Sequence, residues 1–197
     1  MQQTQNPWIT SPAAGDASDN VAAEVHLPPT AKIDAPLLGI VEPDWADRLG
    51  RRTVSGTASL WVTGVHGGAG ESRLASLLDG ARATDHAWPV HDDAYGKLPV
   101  LLACRSDMRG LQAARSALIQ WASGAAPAVE LLGLAVLADA PGKLPKPLRE
   151  FAALVGGGAP RLWMLPWVES WRLGDSTASQ PGHDYQRFAT DLAALTN

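Results

Sequence analysis

From position 58 onward the chain alternates between two rhythms of apolar and polar residues. Four short runs are almost continuously apolar: ASLWVTGV at 58–65, KLPVLLACRS at 97–106, LLGLAVLADA at 131–140 and RLWMLP at 161–166. Runs of this length, bounded by glycine, proline or charge, read as strands buried on both faces. HAWPV at 86–90 is a shorter candidate of the same kind. Between the runs the period changes to that of a helix. Leu74, Leu77 and Leu78 share one face of GESRLASLLDGARA at 70–83, with Gly80 near its end. Leu111, Ala114, Leu118 and Trp121 form a stripe in MRGLQAARSALIQWASG at 108–124, closed by Gly124. A third helix is expected from about Lys146, and a fourth over 183–197, where Tyr185, Phe188 and Leu192 lie on one side.

Apolar strands separated by helices imply an α/β fold: a mostly parallel sheet of four to five strands covered on both faces, that is, a three-layer sandwich. This domain spans 56–197. Residues 1–55 are rich in Pro, Ala, Asp, Thr and Ser, show no sustained period, and read as a flexible tail. Two apolar islands interrupt the tail, Trp8-Ile9 and the stretch from Pro36 to Trp45. Such islands can dock on a partner or fold back on the domain.

Composition narrows the function classes. With 16 Lys and Arg against 20 Asp and Glu, the net charge is −4. Charge alone therefore draws the chain neither to nucleic acid nor to an anionic membrane. No run reaches the ~18–20 apolar residues of a spanning helix. The N-terminal MQQTQNPWITSP has neither a basic nor an apolar signal region, so a cytoplasmic protein is expected. The single cysteine, Cys104, excludes an internal disulfide and a cysteine-based zinc site, and its apolar run makes it a buried, inert thiol.

Candidate chemistry centres on VTGVHGGAGESRLA at 62–75. A strand, a glycine run and a helix start can converge backbone N–H groups on a phosphate. The phosphate-loop pattern G-x-x-x-x-G-K-[ST] is broken twice, by Val65 at the first glycine and Glu71 at the lysine. The segment His66-Gly67-Gly68-Ala69-Gly70-Glu71-Ser72 nevertheless resembles the deviant loop K-G-G-x-G-K-[ST] of the ParA/MinD family of P-loop ATPases. The resemblance covers about 58–197 in the order of elements. It implies a P-loop NTPase-like fold, with Ser72 where a hydroxyl would hold Mg²⁺. It also implies a base-contacting position at Asp139, after the third strong strand, and a proline loop at Pro166 flanking the base. In a second register Asp139 is instead the metal-binding acid. The strand that carries the Walker B aspartate is missing, and His66 and Glu71 stand at the two lysine positions.

A unit charge at ~4 Å is worth ~4 kcal/mol at an effective dielectric near 20, so a Glu for a Lys swings the local field against a polyphosphate by roughly twice that. Phosphoryl transfer depends on positioning and charge stabilisation. The resemblance therefore implies a degenerate, non-catalytic member: a binding or regulatory module in a larger bacterial assembly of a secretion, conjugation or mobile-element system. No resident cofactor is expected, protein partners are, and a homodimer is implied because many relatives dimerise across the nucleotide. The rival is a lysine-less, Mg-dependent nucleotide hydrolase using Ser72 and Asp139, with Arg105 or Arg172 replacing the lysine.

Three other constellations stand out. HGGAG is similar to an oxyanion-hole turn, and Gly174-Asp175-Ser176 with His183-Asp184 to a hydrolase triad, but no G-x-S-x-G elbow follows a strand, so these read as loops. His86, His91, Asp92 and Asp93 lie in a turn-rich connection without helical His spacing, and read as solvated. Eight tryptophans are conspicuous. Trp61 and Trp163 belong to strands. Trp167 and Trp171, with Arg172, either close the mouth of the sheet or form a partner-binding patch. The exposed edge of the loop face, with His66, Glu71, Trp167 and Arg172, is the expected contact surface.

Overall fold

The strands form where the apolar runs lie. They are β2 (Leu60–Gly64), β5 (Leu98–Arg105), β6 (Val129–Leu137) and β7 (Leu162–Leu165), joined by the short β3 (Ala81–Ala83). The computed structural model describes residues 35–91, 96–173 and 182–196. The sheet order is β3-β2-β5-β6-β7, and every pair is parallel. Strands apolar on both sides need two covered faces. On one face Trp61, Val100, Leu102, Leu134 and Val136 pack with α2 (Met108–Ala122) and α3 (Lys146–Gly156). On the other, Val62, Leu101, Ala103, Ala135 and Leu137 meet Leu74 of α1 (Glu71–Ala75) and Tyr185, Phe188 and Leu192 of α5 (His183–Thr196). The fold class is therefore α/β with a parallel five-stranded sheet.

Two expectations are corrected. The helix expected over 70–83 stops after Ala75. Gly80 takes a left-handed φ of +70°, its carbonyl accepts the Ser59 N–H, and Ala81–Ala83 then pairs with β2. Pairing along an open sheet edge satisfies the backbone of 81–83 better than a further turn on an exposed helix.

The second correction concerns the tail boundary. Residues 1–34 and the Trp8-Ile9 island lie outside the described residues, whereas 35–55, although mostly exposed, touch the domain at separate points: the Leu37 N–H donates to the Ala122 carbonyl, and Val54 is buried. After a 3-10 turn at Trp45–Asp47, β1 (Gly50–Thr53) pairs in parallel with β4 (Ala87–Val90) as a separate two-stranded ribbon. All four β1 residues are exposed, so no apolar pattern marked them. The buried amide of Gln120 stands in for a strand partner: its Oε1 accepts the Leu49 N–H at 2.9 Å and its Nε2 donates to the Leu49 carbonyl at 3.1 Å. Replacing Gln120 with Leu strands both groups of Leu49. A loss of ~1–3 kcal/mol is expected in chemical denaturation, with the β1 amides losing exchange protection first.

Cys104 lies wholly buried on β5, as its run predicts. Burial first, and the Asp107 carboxylate second, push its thiol from 9.0 up to about 12. In the unfolded chain the thiol ionises from 9.0, while the folded one keeps its proton. The unfolded state therefore binds fewer protons above 9.0, and stability falls as pH rises, by about 1 kcal/mol per pH unit. Melts between pH 9 and 10 should show this slope, and Cys104→Ala should flatten it.

Candidate functional site

After β2 the chain runs outward to β3 on one side, and later, through β4, to β5 on the other. The carboxyl ends of β2 and β5 are thus the point where the sheet order reverses, the usual place for a ligand crevice in open parallel sheets. The loop 65–70 sits there. Gly67 and Gly68 form its exposed crest, while Ala69 is fully buried. Gly70 is the N-cap of α1 with φ +95°, a conformation that suits glycine, and a Cβ there would meet Leu137 Cδ2 at 2.8 Å.

Glu71 turns back beneath this loop. It is 4% exposed, and its Oε2 accepts the Gly64 N–H at 2.5 Å and the His86 N–H at 3.3 Å. Its Oε1 lies 3.1 Å from His86 Nδ1. The expectation of Glu71 on an exposed loop edge is therefore corrected: a carboxylate beside the Gly64 N–H and the His86 ring is held inside by charge-assisted bonds. His86 and its neighbour Asp85 both adopt left-handed φ values, +61° and +52°. That is uncommon for residues other than glycine, although Asp and His tolerate it more often than most. Two contacts hold the turn: Arg52 pairs with Asp85, and Glu71 holds His86.

His66 and Arg105 tie the loop's other flank. His66 Nε2 accepts the Arg105 N–H at 3.1 Å, and its Nδ1 lies 2.9 Å from the Gly67 carbonyl, which assigns the ring proton to Nδ1. The Arg105 guanidinium donates to the Gly68 carbonyl and, through Nη1, to the Ala138 carbonyl, each at 3.0 Å. One side chain thus bridges the loop to the end of β6. Gly110 of α2 allows this close approach, since a Cβ there would collide with the Arg105 carbonyl and lie 2.9 Å from His66 Nε2. Asp107 caps α2, accepting the Gly110 N–H at 2.7 Å.

Beyond that bridge the ends of β5, β6 and β7 enclose a cleft of about 290 Å³. Asp139 and Pro166 both line it, together with Ser106, Met164 and Asp184. The two positions singled out at the base or metal site are thus brought together, whereas none of 66–72 lines this cleft. Ser72 is exposed on α1. Tyr185 donates its hydroxyl to the Pro166 carbonyl at 3.0 Å, and burial raises its pKa, with Arg105 opposing and Asp184 adding.

The tryptophans divide. Trp61 is buried, and Trp163 meets Phe188 edge-on at 5.4 Å. Trp171 and Trp167 are half-buried around α4 (Glu169–Arg172). Trp171 packs against Tyr185 at 4.9 Å with Arg73 over its ring, so Arg73 points away from the loop. Trp167 donates to Glu169 at 2.6 Å and lies under Arg172.

Among the described residues no group of three or more ligating side chains could hold a metal ion, and no helix is long and apolar enough to cross a membrane. Asp92, Asp93 and Gly174-Asp175-Ser176 fall outside the described residues. Sequence reasoning missed the Glu71–His86 pair, the carbonyl bridge of Arg105 and the place of Ser106 and Asp184 in the cleft. The polar run Arg105-Ser106-Asp107 at a strand end was the available signal for part of it.

No curated protein and no solved structure matches the chain. A family of unknown function, DUF6668, matches residues 58–186, which hold the whole five-stranded sheet, the loop and the cleft, and the chain belongs to that family.

Proposed function

We propose that the chain is a ParA/MinD-like module whose phosphate loop has been remodelled, so that it binds or regulates partners without turning nucleotide over. The single observation that carries this reading is the place of Glu71. Its carboxylate is consumed by the Gly64 N–H and His86, inside the loop where active relatives project a lysine. An acid fixed there repels a polyphosphate, and no reorientation frees it without stranding a buried N–H. Arg105, the nearest cation to the loop crest, is spent on two carbonyls. By the same resemblance the module works in a bacterial cytoplasm as part of a larger assembly of a secretion, conjugation or mobile-element system. Half-buried Trp167 and Trp171 and exposed Arg172 are its candidate contact residues.

The test is thermal melting with and without Mg-ATP and Mg-GTP. A ligand at 100 times its Kd adds ~2.7 kcal/mol, which a melt resolves. No shift is expected with either nucleotide. A shift that disappears in Ser72→Ala, together with phosphate release from the same nucleotide, would overturn the reading in favour of the lysine-less hydrolase.

A further inference from the structure

The cleft at the ends of β5, β6 and β7 has a built interior. At its floor Ser106 is 2% exposed; its hydroxyl donates to Asp139 Oδ1 at 2.5 Å and accepts the Asp139 N–H at 3.1 Å. This reciprocal pair fixes the Asp139 carboxylate and leaves its second oxygen for a ligand. The walls are apolar, with Leu144 and Pro145 on the loop after β6, and Met164 and Pro166 at the end of β7. Met164 is 46% exposed, so its thioether is open to a group entering the cleft. A second carboxylate, Asp184 in the first turn of α5, lines the same cleft, against one lysine, Lys143.

We propose that this cleft takes a guanidinium group, presented as an arginine side chain by a protein partner. A guanidinium is flat, weakly hydrated on its faces and edged with parallel N–H donors. Its faces suit the proline, leucine and methionine side chains of the lining, and its edge suits an oriented carboxylate. The excess of acid over base in the lining favours a cation over a neutral purine, and a lysine ammonium has no flat, weakly hydrated face to lay on the apolar lining. The volume of about 290 Å³ accommodates one such side chain with its stem. The inference rests on the reading of the chain as a protein-binding module, and deepens it by naming the group that is bound.

The test is a nitrogen–proton correlation titration of the full chain with N-acetyl-arginine methylamide. The lysine analogue, adenosine and guanosine are titrated in parallel. Saturable shifts are expected for the arginine derivative at Asp139, Leu144, Met164 and Asp184. They should weaken at least about tenfold in Asp139→Asn and in Asp184→Asn, and stay unchanged in Arg115→Ala, an exposed residue of α2 outside the cleft. An equal response to the lysine analogue, a nucleoside seated in the cleft, or no saturable shift would each overturn the proposal. Nucleotide binding at the loop, alongside an intact arginine response, would sink only the reading of a nucleotide-independent module.

Discussion

Glu71→Lys is expected to cost ~3–5 kcal/mol, because it places an ammonium against the Gly64 N–H in a site already closed to water. The lost carboxylate leaves the Gly64 and His86 amides without their acceptor, and the left-handed turn at Asp85-His86 loses one of its two holds. Glu71→Gln keeps a carbonyl oxygen for Gly64 and should lose only ~1–2 kcal/mol. Urea denaturation of both variants measures the difference. In an ordinary phosphate loop the lysine substitution would instead restore the missing grip. A Glu71→Lys protein that stayed as stable as the parent and gained a melting shift with Mg-ATP would show a loop with one residue exchanged, not a rebuilt one.

Phe188→Ala should cost a comparable ~3–5 kcal/mol, from lost transfer free energy and the cavity left behind. Phe188 is 1% exposed and sits edge-on to Trp163 of β7. It is the largest fully buried side chain that α5 contributes to its face of the sheet. The same helix carries Asp184 into the cleft and Tyr185 to the Pro166 carbonyl. Hydrogen exchange in the variant should therefore show α5 opening ahead of β5 and β6, and Phe188→Leu should recover much of the loss. A loss below about 1 kcal/mol would mean that the site collapses onto the gap and that α5 is held by other contacts.

The sheet was legible because its strands are apolar on both faces: VELLGLAVL and LPVLLACR admit few other fates. α2 and α5 were legible for the complementary reason, a stripe of period 3.6 backed by polar residues. β1 was not, since Gly50-Arg51-Arg52-Thr53 carries no buried side chain and is placed by β4 and by Gln120, 71 positions from Leu49. α1 was overestimated because Leu74, Leu77 and Leu78 satisfy a helical stripe, while the competing strand pair of Ala81–Ala83 depends on a distant neighbour. At the site, the strand order places the glycine loop and the ends of β6 and β7 at the same edge of the sheet, where Asp139 and Pro166 line one cleft. The fate of Glu71 did not. Whether a carboxylate at a helix start faces water or turns inward depends on which N–H groups lie beneath it, and here they come from Gly64 and His86.

The family match begins at residue 58 and ends at 186, and both limits cut through the packed unit. Upstream of 58 lie β1, the only pairing partner of β4 among the described residues, and Val54, which shares a core with Trp88. Downstream of 186 lie Phe188 and Leu192, which seal the opposite face. A fragment excised at those limits would present a raw strand edge and an unroofed indole on one side and a bare hydrophobic slab on the other. The autonomous folding unit is accordingly wider than the matched segment, and soluble expression should require residues from about 35 through the end of α5.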